Sequence, residues 1–264
     1  MRGPKGPRRG LALDELSIIS DGALLVRDGV VLEVGPSRRV ENLALARDAV
    51  EINAAGRVVM PGFVDSHTHL AFPLIGAGSG DHDAAVRAVR ANTGQRLEAK
   101  ARAYLEAMAR HGTTTVEVKT GCGPDESAES KMLRVLSVFK QEPVEVIPSF
   151  LFRLPHRGGD GGYQEAADWV MGDLLPKIWK RGVAQFADVA WDSDPESYQY
   201  FDQYLQVARG LGFSLKIHAD HLDPRTALAM AVDHAVVSID HLEHATEEEA
   251  AILGPRGVIA TLLP

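Results

Sequence analysis

From residue 62 onward, short apolar runs alternate with longer stretches in which apolar positions recur every three or four residues. The short runs predict strands at residues 63–66, 113–119, 144–151, 186–191, 214–218, 236–240 and 257–263, and the longer stretches predict amphipathic helices between them. Strand and helix in strict alternation imply parallel strands joined by crossover helices. Several helix ends are legible. The helix over 97–110 closes at Gly112; Pro195 takes a first helical position after Asp194, and that helix ends at Gly212; Asp223-Pro224 opens another. Thr246-Glu247-Glu248-Glu249 has the form of a capping box, with Gly254 as its stop. Pro176 lies inside the pattern over 169–180, so that helix should be kinked or split.

Residues before this region carry a different texture. Residues 23–26 and 30–35 read as two strands joined at Asp28-Gly29, a hairpin signal. The expected organisation is a small partial β-sandwich over 1–60 beside an α/β domain over 61–264. A parallel series of that length most simply closes as a (β/α)₈ TIM-like barrel, whose working residues stand at the C-terminal strand ends. Seven strands are countable, and no sequence follows Pro264 to supply an eighth.

Composition narrows the function. With 45% hydrophobic and 24% charged residues the chain can bury a full core. Its net charge of −8, with basic residues clustered only over 2–9, argues against nucleic acid, and no apolar run suits a membrane span or secretory signal. Cys122 is the sole cysteine, so no intrachain disulfide forms and a reducing, cytoplasmic setting is expected. Aromatic residues make up only 6%, which gives little support to a carbohydrate- or protein-binding module.

The chemistry concentrates in histidines. His67 and His69 are two apart at the end of an apolar strand and so project to one face. His218 and His241 end two later apolar runs in the same way. Three imidazoles, those of His67, His69 and His218, would leave one position on a zinc-like ion for a water whose pKa falls to about 7, yielding a hydroxide nucleophile. His241 is placed to move protons or polarise a substrate carbonyl. His221 and Asp220 follow His218 closely and border the same mouth or cap the next turn. Cys122, between two glycines after a strand, either lines the pocket or fills space, and Asp192 follows a strand at its functional end. Lys119 and His244 are weaker candidates, Lys119 being equally readable as a solvated strand end.

The segment Pro61-Gly62-Phe63-Val64-Asp65-Ser66-His67-Thr68-His69-Leu70 resembles the first-strand signature of the amidohydrolase superfamily. Further blocks, at 112–121, 129–134, Lys216-Ile217-His218-Ala219-Asp220 and Asp240-His241-Leu242-Glu243, are similar to the imidazolonepropionase family in its own order, over about residues 20–264. The resemblance implies a barrel beside a small β-sandwich, one divalent Zn or Fe held by His67, His69 and His218, and hydrolysis of a C–N bond in a cyclic amide or amidine. By the same likeness His241 contacts the substrate and the attacking water, and the family's last ligand, an eighth-strand Asp, would lie beyond Pro264.

Departures from that family alter the expected pocket. No Arg follows His69 until Arg87, Cys122 replaces a Tyr, His221 replaces an acidic or amide residue, and His156 is displaced from its matching position. Cys122, His156 and Asp192, the last from its place at a strand end, are the expected substrate contacts and His221 a second catalytic candidate. The partner is a small cyclic amide or heterocycle, a deaminase-like reaction fits as well, and a homodimer is compatible with this reading. The alternative, from another class, is a catalytically inactive metal-binding or structural remnant, completed by another chain through strand addition.

Overall fold

The computed structural model describes residues 8–70, 82–122, 125–139, 142–154, 162–191, 196–219, 224–243 and 245–263. It divides into two compact units, Met1–Met60 and Pro61–Pro264.

In the first unit, β1 (Gly22–Arg27) pairs antiparallel with β2 (Val30–Pro36). The connection is the expected tight one: Asp28 and Gly29 take φ of 52° and 77°, the left-handed pair that matches strand twist in a two-residue hairpin. A short helix α1 (Ser37–Glu41) follows. Its Arg39 reaches back to Glu33 at 2.8 Å and to the Val34 carbonyl at 2.7 Å. Among the described residues this unit holds that one two-stranded sheet.

Among the described residues the second unit is a nearly closed barrel of seven parallel strands in chain order. They are β3 (Phe63–Thr68), β4 (Thr113–Lys119), β5 (Glu145–Phe152), β6 (Phe186–Trp191), β7 (Ser214–Ala219), β8 (Ser238–His241) and β9 (Ile259–Thr261). Between them run α2 (His82–Ala91), α3 (Gly94–Arg110), α4 (Glu126–Leu136), α5 (Tyr163–Trp169), α6 (Leu175–Arg181), α7 (Tyr198–Leu211), α8 (Pro224–Asp233) and α9 (Glu247–Leu253). Every successive strand pair is parallel, as the alternating pattern predicts.

Local chemistry accounts for the helix ends. Thr93 caps α3 through a bond from the Arg96 amide, and Asp125 caps α4 through the Ala128 amide. Lys131 of α4 donates to the carbonyls of Val89, Arg90 and Asn92, satisfying the otherwise open C-terminal end of α2. Thr246 and Glu249 form the reciprocal capping box on α9. Gly254 is the stop of this helix, as expected. It stays right-handed and leads into a 3₁₀ turn, and the left-handed residue is Gly257, at φ 76°. The helix containing Pro176 is interrupted: a π-helical turn at Val170–Leu174 joins α5 to α6, and Pro176 follows it as the second residue of α6. Asp194-Pro195 and Asp223 lie outside the described residues.

The strands alternate between two environments. Val116 and Val118 of β4, Phe150 and Phe152 of β5, Ala187 and Val189 of β6, and Leu215 and Ile217 of β7 face outward into apolar clusters shared with the helices. Phe152 stacks on Tyr204 of α7 at 4.7 Å between centroids. The residues between them face the barrel interior, and there the chain is polar: Glu117, Lys119, Ser149, Asp188, Lys216, His218 and Asp240 are all buried.

Candidate metal centre

β3 carries His67 and ends just before His69, and its position is set by contact with β4. A Cβ on Gly62 would stand 2.1 Å from the Thr114 side chain, so only glycine permits the close approach that starts the strand. At the other end of β3 the Nε2 atoms of His67 and His69 lie 3.1 Å apart. β7 adds His218, whose ring centroid is 4.8 Å from that of His67 and 5.2 Å from that of His69.

His241 arrives by a different route. Pairing of β7 with β8 sets His218 against Asp240 and Ala219 against His241. Regular alternation would therefore send His241 away from the interior side that Asp240 occupies. His241 and Leu242 instead take φ of 75° and 70°, a left-handed departure that costs non-glycine residues about 1–2 kcal/mol each. The His241 ring consequently sits 4.6 Å from His218 and 5.0 Å from His67. Its Nδ1 lies 3.2 Å from Glu243 Oε1.

The donor set fits a divalent ion. Two nitrogens bound at about 2.05 Å to one tetrahedral zinc stand about 3.3 Å apart, close to the His67–His69 separation. Ligand nitrogens of His67, His218 and His241 also lie within 4.8 Å of one another. Burial, reinforced by His67, Arg153 and Lys119, pushes His69 well below 6.5. Burial, then His69, His67, Arg153 and Lys119, does the same for His218. Both rings are neutral at pH 7, the form that ligates metal.

Beneath the imidazoles lies an ion network that the sequence reading did not find. Lys119 Nζ is 3.0 Å from Glu117 and 2.7 Å from Asp240, and also bonds Asp188. Lys216 bonds the other Glu117 oxygen. The solvated-end reading of Lys119 is excluded, since the side chain is 0% exposed. Burial alone would lower the Lys119 ammonium, but Asp188, Asp240 and Glu117 more than offset it and hold the group charged. Burial works against the Asp240 carboxylate too, yet the bond from His67 and the charges of Lys119 and Lys216 keep it well below the usual range. A usable signal was present: Glu117 and Lys119 alternate with Val116 and Val118, and Lys216 lies between Leu215 and Ile217.

Cys122 lies in the apolar cluster with Leu97, Val118 and Met132, and its amide bonds Glu129. Burial, with Glu129 and Asp125 nearby, pushes its thiol far up, so it remains protonated and a poor nucleophile. His156, Asp192, Asp220, His221 and His244 lie outside the described residues. No helix among the described residues is long and apolar enough to cross a membrane.

Comparison with known proteins agrees with this architecture. Residues 58–262 match the amidohydrolase family. The chain is 35% identical to an imidazolonepropionase of Symbiobacterium thermophilum, covering 98% of this chain and 66% of that protein. It is 33% identical to one of Solibacter usitatus, covering 100% and 68%. The chain thus spans about two thirds of the length of these curated relatives. Among solved structures it is similar in fold to A. niger ochratoxinase, with a TM-score of 0.61 at 14% identity over 92% of this chain and 60% of that one. A 5-methylcytosine deaminase from Klebsiella pneumoniae gives 0.60 at 15%, over 90% and 61%. With a family match that takes in the whole barrel and relatives sharing a third of its residues, this chain belongs to the amidohydrolase family.

Proposed function

We propose that this chain carries the metal-holding barrel of a hydrolase that opens a C–N bond in a small cyclic amide or amidine, with imidazolonepropionate and related heterocycles as the substrate class. The observation that carries this reading is the meeting of His67, His69, His218 and His241, drawn from three strands, at one end of the barrel. The curated relatives named imidazolonepropionase support the substrate class.

In this reading His67, His69 and His218 hold one zinc or iron ion. Such an ion, when bound, lowers the pKa of a coordinated water to about 7 and polarises a substrate oxygen. His241 moves the proton. Its Nδ1 donates to Glu243, which orients the ring, and Nε2 would take a proton from the attacking water and return it to the ring nitrogen that departs. Arg153, just beyond β5, adds a positive charge felt at both His69 and His218 and would attract an anionic substituent of the substrate. Cys122, His156 and Asp192 are assigned as substrate contacts and His221 as a further proton carrier.

The test is ring opening of imidazolonepropionate by the purified protein, followed by loss of its ultraviolet absorbance with and without added zinc or ferrous iron. Metal-dependent turnover that disappears in His67→Ala supports the proposal. Metal binding with no turnover would favour the inactive metal-binding alternative, and turnover indifferent to metal and to His67→Ala would overturn the mechanism.

A further inference from the structure

A contact in the interior links the ion network to the imidazoles. His67 Nδ1 lies 2.9 Å from Asp240 Oδ2, with the two side chains 4% and 0% exposed. The same oxygen is 2.7 Å from Lys119 Nζ, while Ser238 donates to Oδ1 at 3.3 Å. We propose that Asp240, braced by Lys119, is a positioning residue that holds His67 as its Nδ1–H tautomer and so keeps the Nε2 lone pair aimed at the ion. This rests on the reading of the histidine cluster as a metal site.

The argument is one of donors and acceptors. An ionised carboxylate can only accept, so a hydrogen bond across 2.9 Å requires the proton to be on Nδ1. His67 Nε2 is then bare, and it is this atom that faces His69 Nε2 at 3.1 Å. Lys119 contributes in two ways. By donating to Asp240 Oδ2 it marks that oxygen as an acceptor, and it holds the oxygen in place beside His67 Nδ1. Asp188, His218 and Asp240 also stand close enough together to suggest a second ion. Lys119 Nζ, however, is bonded to both Asp188 and Asp240, so the positive charge that this pair of carboxylates calls for is supplied by the chain. Asp240 is therefore better placed to orient a ligand than to be one. Carboxylates that receive the second ring N–H of a metal-bound histidine set its orientation and basicity, and their loss typically costs 10–100-fold in metal affinity.

Asp240→Asn is the informative change. Its amide oxygen would turn to Lys119 and its NH₂ to His67, which forces the proton onto Nε2. Two readouts separate this from a merely structural role. The first is the nitrogen-15 spectrum of metal-free protein, where wild-type His67 should show a protonated Nδ1 and the variant a protonated Nε2. The second is zinc affinity by chelator competition, expected to fall about 10–100-fold in Asp240→Asn and to recover in part in Asp240→Glu. If Asp240→Asn does not fold, the wild-type spectrum decides alone: protonated Nε2 on His67 overturns the proposal. Wild-type zinc affinity in a folded Asp240→Asn also overturns it while leaving the metal site intact. A wild type that binds no zinc would instead overturn the site reading on which the proposal rests.

Discussion

His67 Nε2 and His69 Nε2 are 3.1 Å apart at the end of β3, brought together by two-residue spacing on a single strand. That closeness depends on where β3 begins. Substituting Gly62→Ala places a methyl group 2.1 Å from Thr114, and the strand must move to relieve it. The expected outcome is a loss of about 1–3 kcal/mol in stability, as for other overpacked sites, together with weaker metal binding. Urea unfolding and zinc titration of the variant check both. Unchanged values for each would mean that β3 is not anchored by this approach.

The ion network beneath the imidazoles makes a separate prediction. Lys119→Met removes the cation shared by Glu117, Asp188 and Asp240, none of which is more than 7% exposed at its side chain. Breaking a buried pair by deleting one partner costs about 3–5 kcal/mol, because uncompensated charge stays behind. A solvated strand end would cost less than about 0.5 kcal/mol. The urea midpoint of Lys119→Met distinguishes the two magnitudes.

Glu129 of α4 gives stability a pH dependence. Burial raises its carboxyl from 4.5 to about 8, against hydrogen bonds from Thr120 and the amides of Cys122 and Gly121. A folded value above the unfolded one means that the group's contribution is fully present below about pH 4.5 and is lost as pH rises through 8. Glu129→Gln keeps the shape and removes the titration. The variant should therefore gain on the wild type in unfolding free energy between pH 5 and pH 8, whereas a constant difference would place Glu129 in water.

His241 approaches His67 and His218 as closely as His69 does, so its role has to be separated from ligation by experiment. As a proton carrier, His241→Ala should keep the metal and lower ring opening by about 10²–10⁴-fold. Metal content measured beside turnover decides this, and loss of the metal would reassign His241 as a ligand.

Much of this was legible because the informative residues sit where strand periodicity changes. His67, His69 and His218 end apolar runs, and a parallel series of such runs brings its C-terminal ends to one side. The polar interior was harder to read. Glu117, Lys119 and Lys216 alternate with apolar residues, which in a one-sided sheet signals the solvent face, whereas in this barrel the outer face is covered by helices and the polar face turns inward. The inward turn of His241 rests on two left-handed non-glycine residues, which no propensity foretells. Pro176 correctly marked a break, but the π turn that absorbs it lies upstream, at Val170–Leu174.

The central claim is that the imidazoles of His67, His69 and His218 hold one divalent ion. Its most direct test is metal stoichiometry and affinity, by elemental analysis and chelator competition with zinc and ferrous iron, on wild type beside His218→Ala. The account predicts about one equivalent in the wild type and a loss in the variant greater than the roughly 100-fold reached by residues that only support a ligand. Wild-type protein that retains neither metal, or a His218→Ala variant that binds as tightly as wild type, would contradict it.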